Sequence, residues 1–241
     1  MGMINYKKLA YQVVVYSIGL FILAMGVAFA INSYLGISPV NAIPLASYLA
    51  SGRAISFGTI VTIFLASLIL LQIFVLRKDF KWINLTQIIF STMFGYFANA
   101  TRTILGDFTL ATHMSGLMIG NFDVSAYVGQ LIMLAISIIL IAAGLSMYLE
   151  AKLISLPSEG IVLAIIQKYP KWTFPRLKVV FDCILVAVAI SITLIFLRSI
   201  EGTREGTIIS AIFIGKVIPF VRRGIAFILE RAGFYKVMSK E

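Results

Sequence analysis

Six long apolar segments alternate with short polar stretches along the chain. They cover approximately residues 12–35, 56–76, 83–105, 124–149, 178–197 and 206–221. A helix needs on the order of 20 apolar residues to cross a bilayer. Lipid offers no hydrogen-bond partners to the backbone, so such segments cross as helices. The pattern therefore predicts an all-α, polytopic membrane protein with six transmembrane helices.

Two shorter apolar segments, 39–50 and 157–167, each begin with a proline. About 12 helical residues extend roughly 18 Å, while the hydrocarbon core of a bilayer is about 30 Å thick. Proline is favoured in the first turn of a helix, where its missing N–H is not needed. We therefore predict two short re-entrant or broken helices, which begin at Pro39 and Pro157.

Composition and charge agree with a membrane location and predict an orientation. Hydrophobic residues make up 60% of the chain and charged residues 12%, against roughly 25% charged in soluble domains. If the N-terminus is cytoplasmic, fifteen of the 20 Lys and Arg residues lie on the cytoplasmic side, as cytoplasmic loops prefer. The excess of +10 is thus a topology signal and predicts no nucleic-acid partner. Both termini are expected to be cytoplasmic.

The two halves of the chain resemble each other. A shift of 118 positions aligns Gly26 with Gly144, Leu35 with Leu153, Pro39 with Pro157, Ile43 with Ile161 and Leu45 with Leu163. A shift of 120 positions aligns Ile88 with Ile208, Ile89 with Ile209 and Gly95 with Gly215. Because each half has three spans, the second half would enter the membrane from the opposite side. This predicts an inverted repeat, an arrangement that many secondary transporters share.

The repeat divides the single membrane domain into a first repeat at residues 1–110 and a second at 111–221. Residues 222–241 follow the last span. Four charged residues in this segment alternate with apolar ones at helical spacing: Arg222, Arg223, Glu230 and Arg231. Such a pattern is typical of an amphipathic helix on the anionic cytoplasmic leaflet. We predict a cytoplasmic amphipathic helix at the C-terminus.

Several short motifs resemble a family of bacterial membrane proteins. They are Leu35-Gly-Ile-Ser-Pro-Val-Asn41, Ser56-Phe-Gly-Thr59, and Glu205-Gly-Thr207 leading to Phe213-Ile-Gly215. Together they resemble the YczE/YyaS/YitT family, with the YczE-like branch as the nearest, over almost the whole chain. The resemblance implies a small multi-pass protein of the bacterial cytoplasmic membrane and implies no substrate. The branch often has an acid where this chain has Asn41, and usually Gly-Pro where it has Leu156-Pro157; the first difference speaks against a shared acidic site.

Polar residues at the start of the two short helices are the first candidate site. Asn41 and Glu159 each follow their proline by two residues, and Ser38 and Ser158 adjoin the prolines. The start of a helix presents unpaired N–H groups and a positive dipole end, so these four residues are candidates for substrate binding near the midplane. The alternative is that they cap their own helices.

Asp182 and Lys216 are the second candidate site. Asp182 lies roughly 12 Å into the fifth span, and Lys216 falls within the sixth. A buried pair of these residues would be a structural ion pair or part of an ion pathway. Alternatively, Lys216 extends to the headgroups and Asp182 pairs with Lys178, four residues earlier on the same helix.

Several classes of chemistry have no support in the sequence. The chain has one cysteine, Cys183, and one histidine, His113, too few for a multi-His or Cys/His metal cluster. Phosphate-binding glycine loops, nucleophile elbows and zinc motifs are missing. We expect no enzyme, no cofactor and no metal.

The sequence favours a small secondary transporter or exporter of an unidentified small solute, bound between the two short helices. The alternative is an accessory or scaffold subunit without transport activity. Gly19, Gly26 and the pattern Ala24-x-x-x-Ala28 in span 1 would dock a second copy or a coupling subunit, or else pack inside the chain. The acids favour a cation or amine and the helix starts favour an anion, so the charge of the solute stays open.

Overall fold

The computed structural model describes residues 6–114, 116, 118–119, 122–231 and 234. In this part of the chain the structure is predominantly helical. The helices are α1 (Tyr6–Ser33), α2 (Pro39–Ala50), α3 (Phe57–Leu76), α4 (Gln87–Leu105), α5 (Leu110–His113), α6 (Val124–Glu150), α7 (Pro157–Lys168), α8 (Phe174–Leu197) and α9 (Glu205–Arg231).

Short elements join the long helices. Two 3-10 turns, Arg77–Asp79 and Trp82–Thr86, connect α3 to α4. Between α5 and α6, strand β1 (Met118–Ile119) pairs antiparallel with β2 (Phe122–Asp123). The second strand leads directly into α6, where Asp123 accepts a hydrogen bond from the backbone N–H of Ala126 at 2.9 Å and so caps the helix.

Within the described residues, four helices are long and apolar enough to cross a membrane: α1, α3 together with the turn that follows it, α6 and α8. The chain is therefore a helical membrane protein. Helices α4 and α9 occupy the predicted third and sixth spans but are more polar. Asn99 and Arg102 lie in α4, while Glu205, Lys216 and Arg222 lie in α9.

Both short helices begin at the predicted prolines and have 12 residues each. Each packs on a long helix from the other half of the chain, α2 on α8 and α7 on α3. The corresponding long helices also pack alike: α4 lies on α1, and α9 lies on α6. The two halves are thus interlocked through their short helices.

Helices α1 and α6 form the central crossing of the molecule. A Cβ atom on Gly19 would lie 3.0 Å from the carbonyl oxygen of Gly144, and one on Gly26 would lie 2.8 Å from the backbone nitrogen of Ile141. Ala24 and Ala28 are also buried. The small residues of span 1 therefore permit close packing within the chain.

Two polar clasps hold the ends of matching helix pairs. Between α1 and α4, Arg102 Nη1 donates to Asn32 Oδ1 at 2.6 Å. Between α6 and α9, Arg222 Nε donates to Glu150 Oε1 at 2.7 Å. Glu150 corresponds to Asn32 at a shift of 118, and Arg222 corresponds to Arg102 at a shift of 120. The clasps therefore occupy equivalent positions in the two halves.

The C-terminal part of the chain differs from the predicted division at residue 222. Helix α9 runs without a break from Glu205 to Arg231 and includes Pro219. Residues 222–231 therefore extend the last long helix and are not a separate element. The rest of the predicted amphipathic segment, apart from Phe234, lies outside the described residues.

Candidate functional site

A cavity of about 350 Å³ lies where the starts of α2 and α7 approach α8 and α9. Five of the six predicted binding residues line it. They are Ser38, which precedes α2, Asn41 in α2, Ser158 and Glu159 in α7, and Asp182 in α8. Pro39 lines it as well, whereas Pro157, which is buried at the start of α7, is not among the lining residues. The fold thus brings together polar residues that are about 120 positions apart in the sequence.

Lys216 does not belong to this group. It is exposed, and its Nζ lies 5.7 Å from the ring centroid of Phe213 on its own helix. Successive helical residues point about 100° apart, and α9 turns Gly215, not Lys216, toward the cavity. The predicted partnership of Lys216 with Asp182 is therefore wrong. Lys178, four residues before Asp182 on the same helix, forms the ion pair with it, which was the alternative prediction.

Three charged groups face one another at the cavity wall. Tyr148 in α6 donates its hydroxyl to Glu159 Oε2 at 3.0 Å. The ammonium group of Lys178 pairs with Asp182 and also attracts the carboxylate of Glu159. When both acids are ionised, the group carries one more negative than positive charge. Sequence reasoning treated Lys178 only as a local partner and missed Tyr148, because the α6 to α7 contact is not visible in the sequence.

The starts of the two short helices use their backbone N–H groups within the chain. The N–H of Asn41 donates to the Ser38 carbonyl at 2.9 Å, and those of Glu159 and Gly160 donate to the Leu156 carbonyl at 3.0 and 2.9 Å. The Ser38 hydroxyl accepts from Asn41 Nδ2 at 3.0 Å and makes no capping bond to the first turn of α2. Few donors are thus left at these helix starts for an anionic ligand.

The remaining walls of the cavity are mostly apolar. They come from α1, α3, α4, α6 and α9 and include Leu23, Val27, Val61, Phe64, Leu65, Phe94, Ile141, Leu145, Ile214 and Ile218. One polar exception is Ser210, which lines the cavity and was not predicted. Its hydroxyl is fully buried and has no hydrogen-bond partner among the described residues. A buried hydroxyl without a partner is unusual in a folded protein.

A cleft between α8 and α9 continues from the central cavity. Helix α8 packs on α2 and α7, and α9 packs on α6, so a space of about 530 Å³ remains between α8 and α9. Its walls are largely apolar, with Val186 and Ile190 on one side and Ile208 and Ile212 on the other. Asp182 and Ala211 line both spaces. The two spaces therefore adjoin each other along α8 and α9.

Another cavity, of about 410 Å³, lies beyond the C-terminal end of α1 and contains Arg53, Arg102 and Arg204. The segment 36–38 lies between this space and the central cavity, since Gly36 lines the former and Ser38 the latter. Thr207 Oγ1 accepts a hydrogen bond from the N–H of Ile37 at 3.3 Å. The Leu35–Asn41 and Glu205–Thr207 motifs thus meet at this partition.

Within the described part of the chain, no three His, Cys, Asp or Glu side chains cluster as a metal site would require. The polar groups among the residues that line the central cavity are carboxylates, an amine, an amide and hydroxyls. These groups can bind a solute through charge and hydrogen bonds, and the apolar walls can enclose its hydrocarbon part.

The chain matches the model of a known protein family. The model of a family described as a family of unknown function (DUF6198) matches residues 10–223. No curated protein and no solved structure matches the chain. The matched region contains every residue that lines the central cavity.

Proposed function

We propose that this chain, which belongs to the family of unknown function DUF6198, is a small secondary transporter or exporter of a small solute. The observation that carries the proposal is the central cavity, where the starts of both short helices meet two carboxylates and an amine. Charged groups inside a membrane protein are costly, and they commonly mark solute or ion pathways. A packing scaffold does not need such a cavity.

The proposal includes a specific membrane architecture. Six helices cross the membrane, α2 and α7 are re-entrant, and residues 1–110 and 111–221 form an inverted repeat with both termini in the cytoplasm. The equivalent clasps Asn32–Arg102 and Glu150–Arg222 support this symmetry. In inverted-repeat transporters, broken helices from the two halves form the site near the midplane.

On the resemblance to the YczE-like branch, we also propose that the protein lies in the bacterial cytoplasmic membrane. The alternative, an accessory or scaffold subunit, relied on the small residues of span 1 as a docking surface. Gly19, Gly26, Ala24 and Ala28 are used for packing inside the chain. The cavity therefore supports transport more strongly than span 1 supports docking. We further propose that the protein is not an enzyme.

A ligand screen followed by solute exchange tests the proposal. Purified protein is screened against small solutes by thermal shift, because a ligand that binds the folded state raises its stability. Solutes that bind are then tested for exchange across proteoliposome membranes. The Glu159→Gln variant removes one charge from the cavity. Glu201→Gln is the matched control, since Glu201 lines the separate cavity beyond α1.

We expect at least one solute to stabilise the protein and to exchange across the membrane. The stabilisation and the exchange should both be weaker in Glu159→Gln and unchanged in Glu201→Gln. A solute that binds the wild type in the central cavity but does not exchange would contradict transport and favour the accessory subunit.

A further inference from the structure

We infer that the central cavity binds a monovalent organic cation, a protonated amine on an apolar body, which enters through the cleft between α8 and α9. This inference rests on the proposed function and names the substrate class of the same site.

The sign of the charge follows from the groups that face the cavity. Among the described residues that line it, Glu159, Asp182 and Lys178 are charged. Lys178 is already engaged, since it pairs with Asp182 and lies near Glu159. When both acids are ionised, the two carboxylates and one amine leave one negative charge, which an added monovalent cation would balance. An added anion would instead bring the total to two negative charges in a poorly solvated space, which is costly.

The starts of the short helices do not reverse this preference. Free backbone N–H groups are what make a helix start attractive to anions. Here the N–H groups of Asn41, Glu159 and Gly160 already donate to carbonyls of the same turn. Pro39 and Pro157 have no N–H at all. Most of the donors that would hold an anion are therefore occupied or missing.

Ser210 is an independent indication that a polar group belongs in this space. Ser210 is one of the residues around the cavity, and its buried hydroxyl has no hydrogen-bond partner among the described residues. A protonated amine has several N–H donors, so once the Ser210 side chain turns toward the cavity the amine can donate to it as well as to a carboxylate. The same ligand would satisfy the hydroxyl and balance the charge.

The walls and the entrance indicate an apolar body. Most of the lining is aliphatic or aromatic, and the adjoining cleft between α8 and α9 is apolar over most of its length. Gly215 of α9 lines the cavity, and a Cβ atom added there would meet nothing within 4 Å. An amphipathic cation in the membrane can therefore pass between α8 and α9 and reach Asp182, which lines both spaces.

A pair of probes with matched shape and opposite charge tests the inference. The probes are 4-phenylbutylamine, which is protonated at neutral pH, and 5-phenylpentanoate. Calorimetry measures their binding to the full chain in nanodiscs, and the signal of empty nanodiscs is subtracted. Gly215→Trp is designed to fill the space beside α9. Its matched control is Gly224→Trp, because Gly224 also lies in α9 with open space beside it but does not line the cavity.

We expect the amine to bind the wild type and Gly224→Trp equally. Its dissociation constant should rise about tenfold or more in Glu159→Gln, since a charge-assisted interaction is lost. Binding should be lost in Gly215→Trp. Glycine weakens a helix, so its replacement in Gly215→Trp should leave α9 helical. Circular dichroism verifies that the variant is folded.

Two results would overturn the inference. The first is tighter binding of the carboxylate than of the amine. If Gly215→Trp abolished that binding, the cavity would remain a solute site and only the substrate class would be wrong. The second is no binding of the amine at millimolar concentration. The proposed function would still stand if another solute exchanged across proteoliposomes.

Discussion

The α3–α4 pair and the α8–α9 pair occupy equivalent places in the two halves but pack very differently. Gly58 of α3 and Gly95 of α4 bring their backbones into close contact, and a Cβ atom on Gly95 would lie 2.6 Å from the Gly58 carbonyl oxygen. Asn99 also accepts from the Gly58 N–H at 2.7 Å. Between α8 and α9, by contrast, a cleft of about 530 Å³ separates the helices.

The difference follows from the residues that stand in the second half at the positions of Gly58, Gly95 and Asn99. Gly215 is the counterpart of Gly95, but residues 176–178, an Arg-Leu-Lys stretch, correspond to Gly58 at shifts of 118 to 120. Pro219, the counterpart of Asn99, cannot donate or accept through an amide side chain. The second half thus has Lys178 and an open space where the first half has a glycine contact. The two halves share the same arrangement of helices, and the open space arises where their sequences differ.

The largest expected effect is loss of stability when the closed pair is forced apart. In Gly58→Ala, the added Cβ would collide with the Gly95 carbonyl and lie 2.7 Å from Asn99 Cγ. Backbone cannot move aside as a side chain tip can, so we expect the free energy of unfolding to fall by about 3 kcal/mol. Denaturation in mixed micelles measures it. An unchanged free energy of unfolding would show that α3 and α4 are not in close contact.

The two clasps should differ in strength because one joins two charges. Arg222 is exposed but donates to Glu150, whose side chain is 8% exposed, whereas Arg102 donates to the neutral amide of Asn32. After allowing for solvent screening of Arg222, we expect Arg222→Leu to lower the free energy of unfolding by about 2 kcal/mol and Arg102→Leu by about 1 kcal/mol. The same denaturation assay compares the variants. A larger loss in Arg102→Leu would contradict this ranking.

The smallest change in the free energy of unfolding is expected for a substitution between α8 and α9. Gly215→Ala adds a methyl group where nothing lies within 4 Å. Because alanine is a better helix former than glycine, we expect the free energy of unfolding to rise by up to about 1 kcal/mol. Destabilisation comparable to that of Gly58→Ala would mean that α8 and α9 are in contact, and the contrast between the two pairs would be lost.

The sequence was most informative where a short-range rule applies. Proline in the first helical turn identified the starts of α2 and α7, and both begin at the predicted residues. The start of α8 was placed four residues late, because Pro175 and Arg176 interrupt the apolar pattern in the first turn. The predicted break before residue 222 was based on a change in charge pattern, which does not interrupt backbone hydrogen bonds.

The candidate site was partly predictable because the repeat symmetry matched Asn41 with Glu159. Lys216 was misplaced because helix rotation depends on packing, and α9 packs on α6 through a face that the hydropathy pattern does not reveal. Tyr148, which donates to Glu159, was not predicted because it lies in the long apolar helix α6 and no sequence pattern distinguishes it. Its role depends on a contact across the α6 to α7 turn.

The central claim is that α8 and α9 leave an open space beside the polar central cavity, at the place where α3 and α4 are in close contact. Thiol labelling tests it most directly, in a Cys183→Ala background and in native membranes, with a water-soluble cationic methanethiosulfonate. Gly215→Cys places a thiol at the cavity wall. Ser91→Cys places one in α4, at a buried position that corresponds to Ala211 of the cleft.

Methanethiosulfonates react with exposed thiolates, so the account predicts that Gly215→Cys is labelled about tenfold or more faster than Ser91→Cys. Equal and slow labelling at both positions would show that the space beside α9 is closed to water, and the proposed binding site would be wrong.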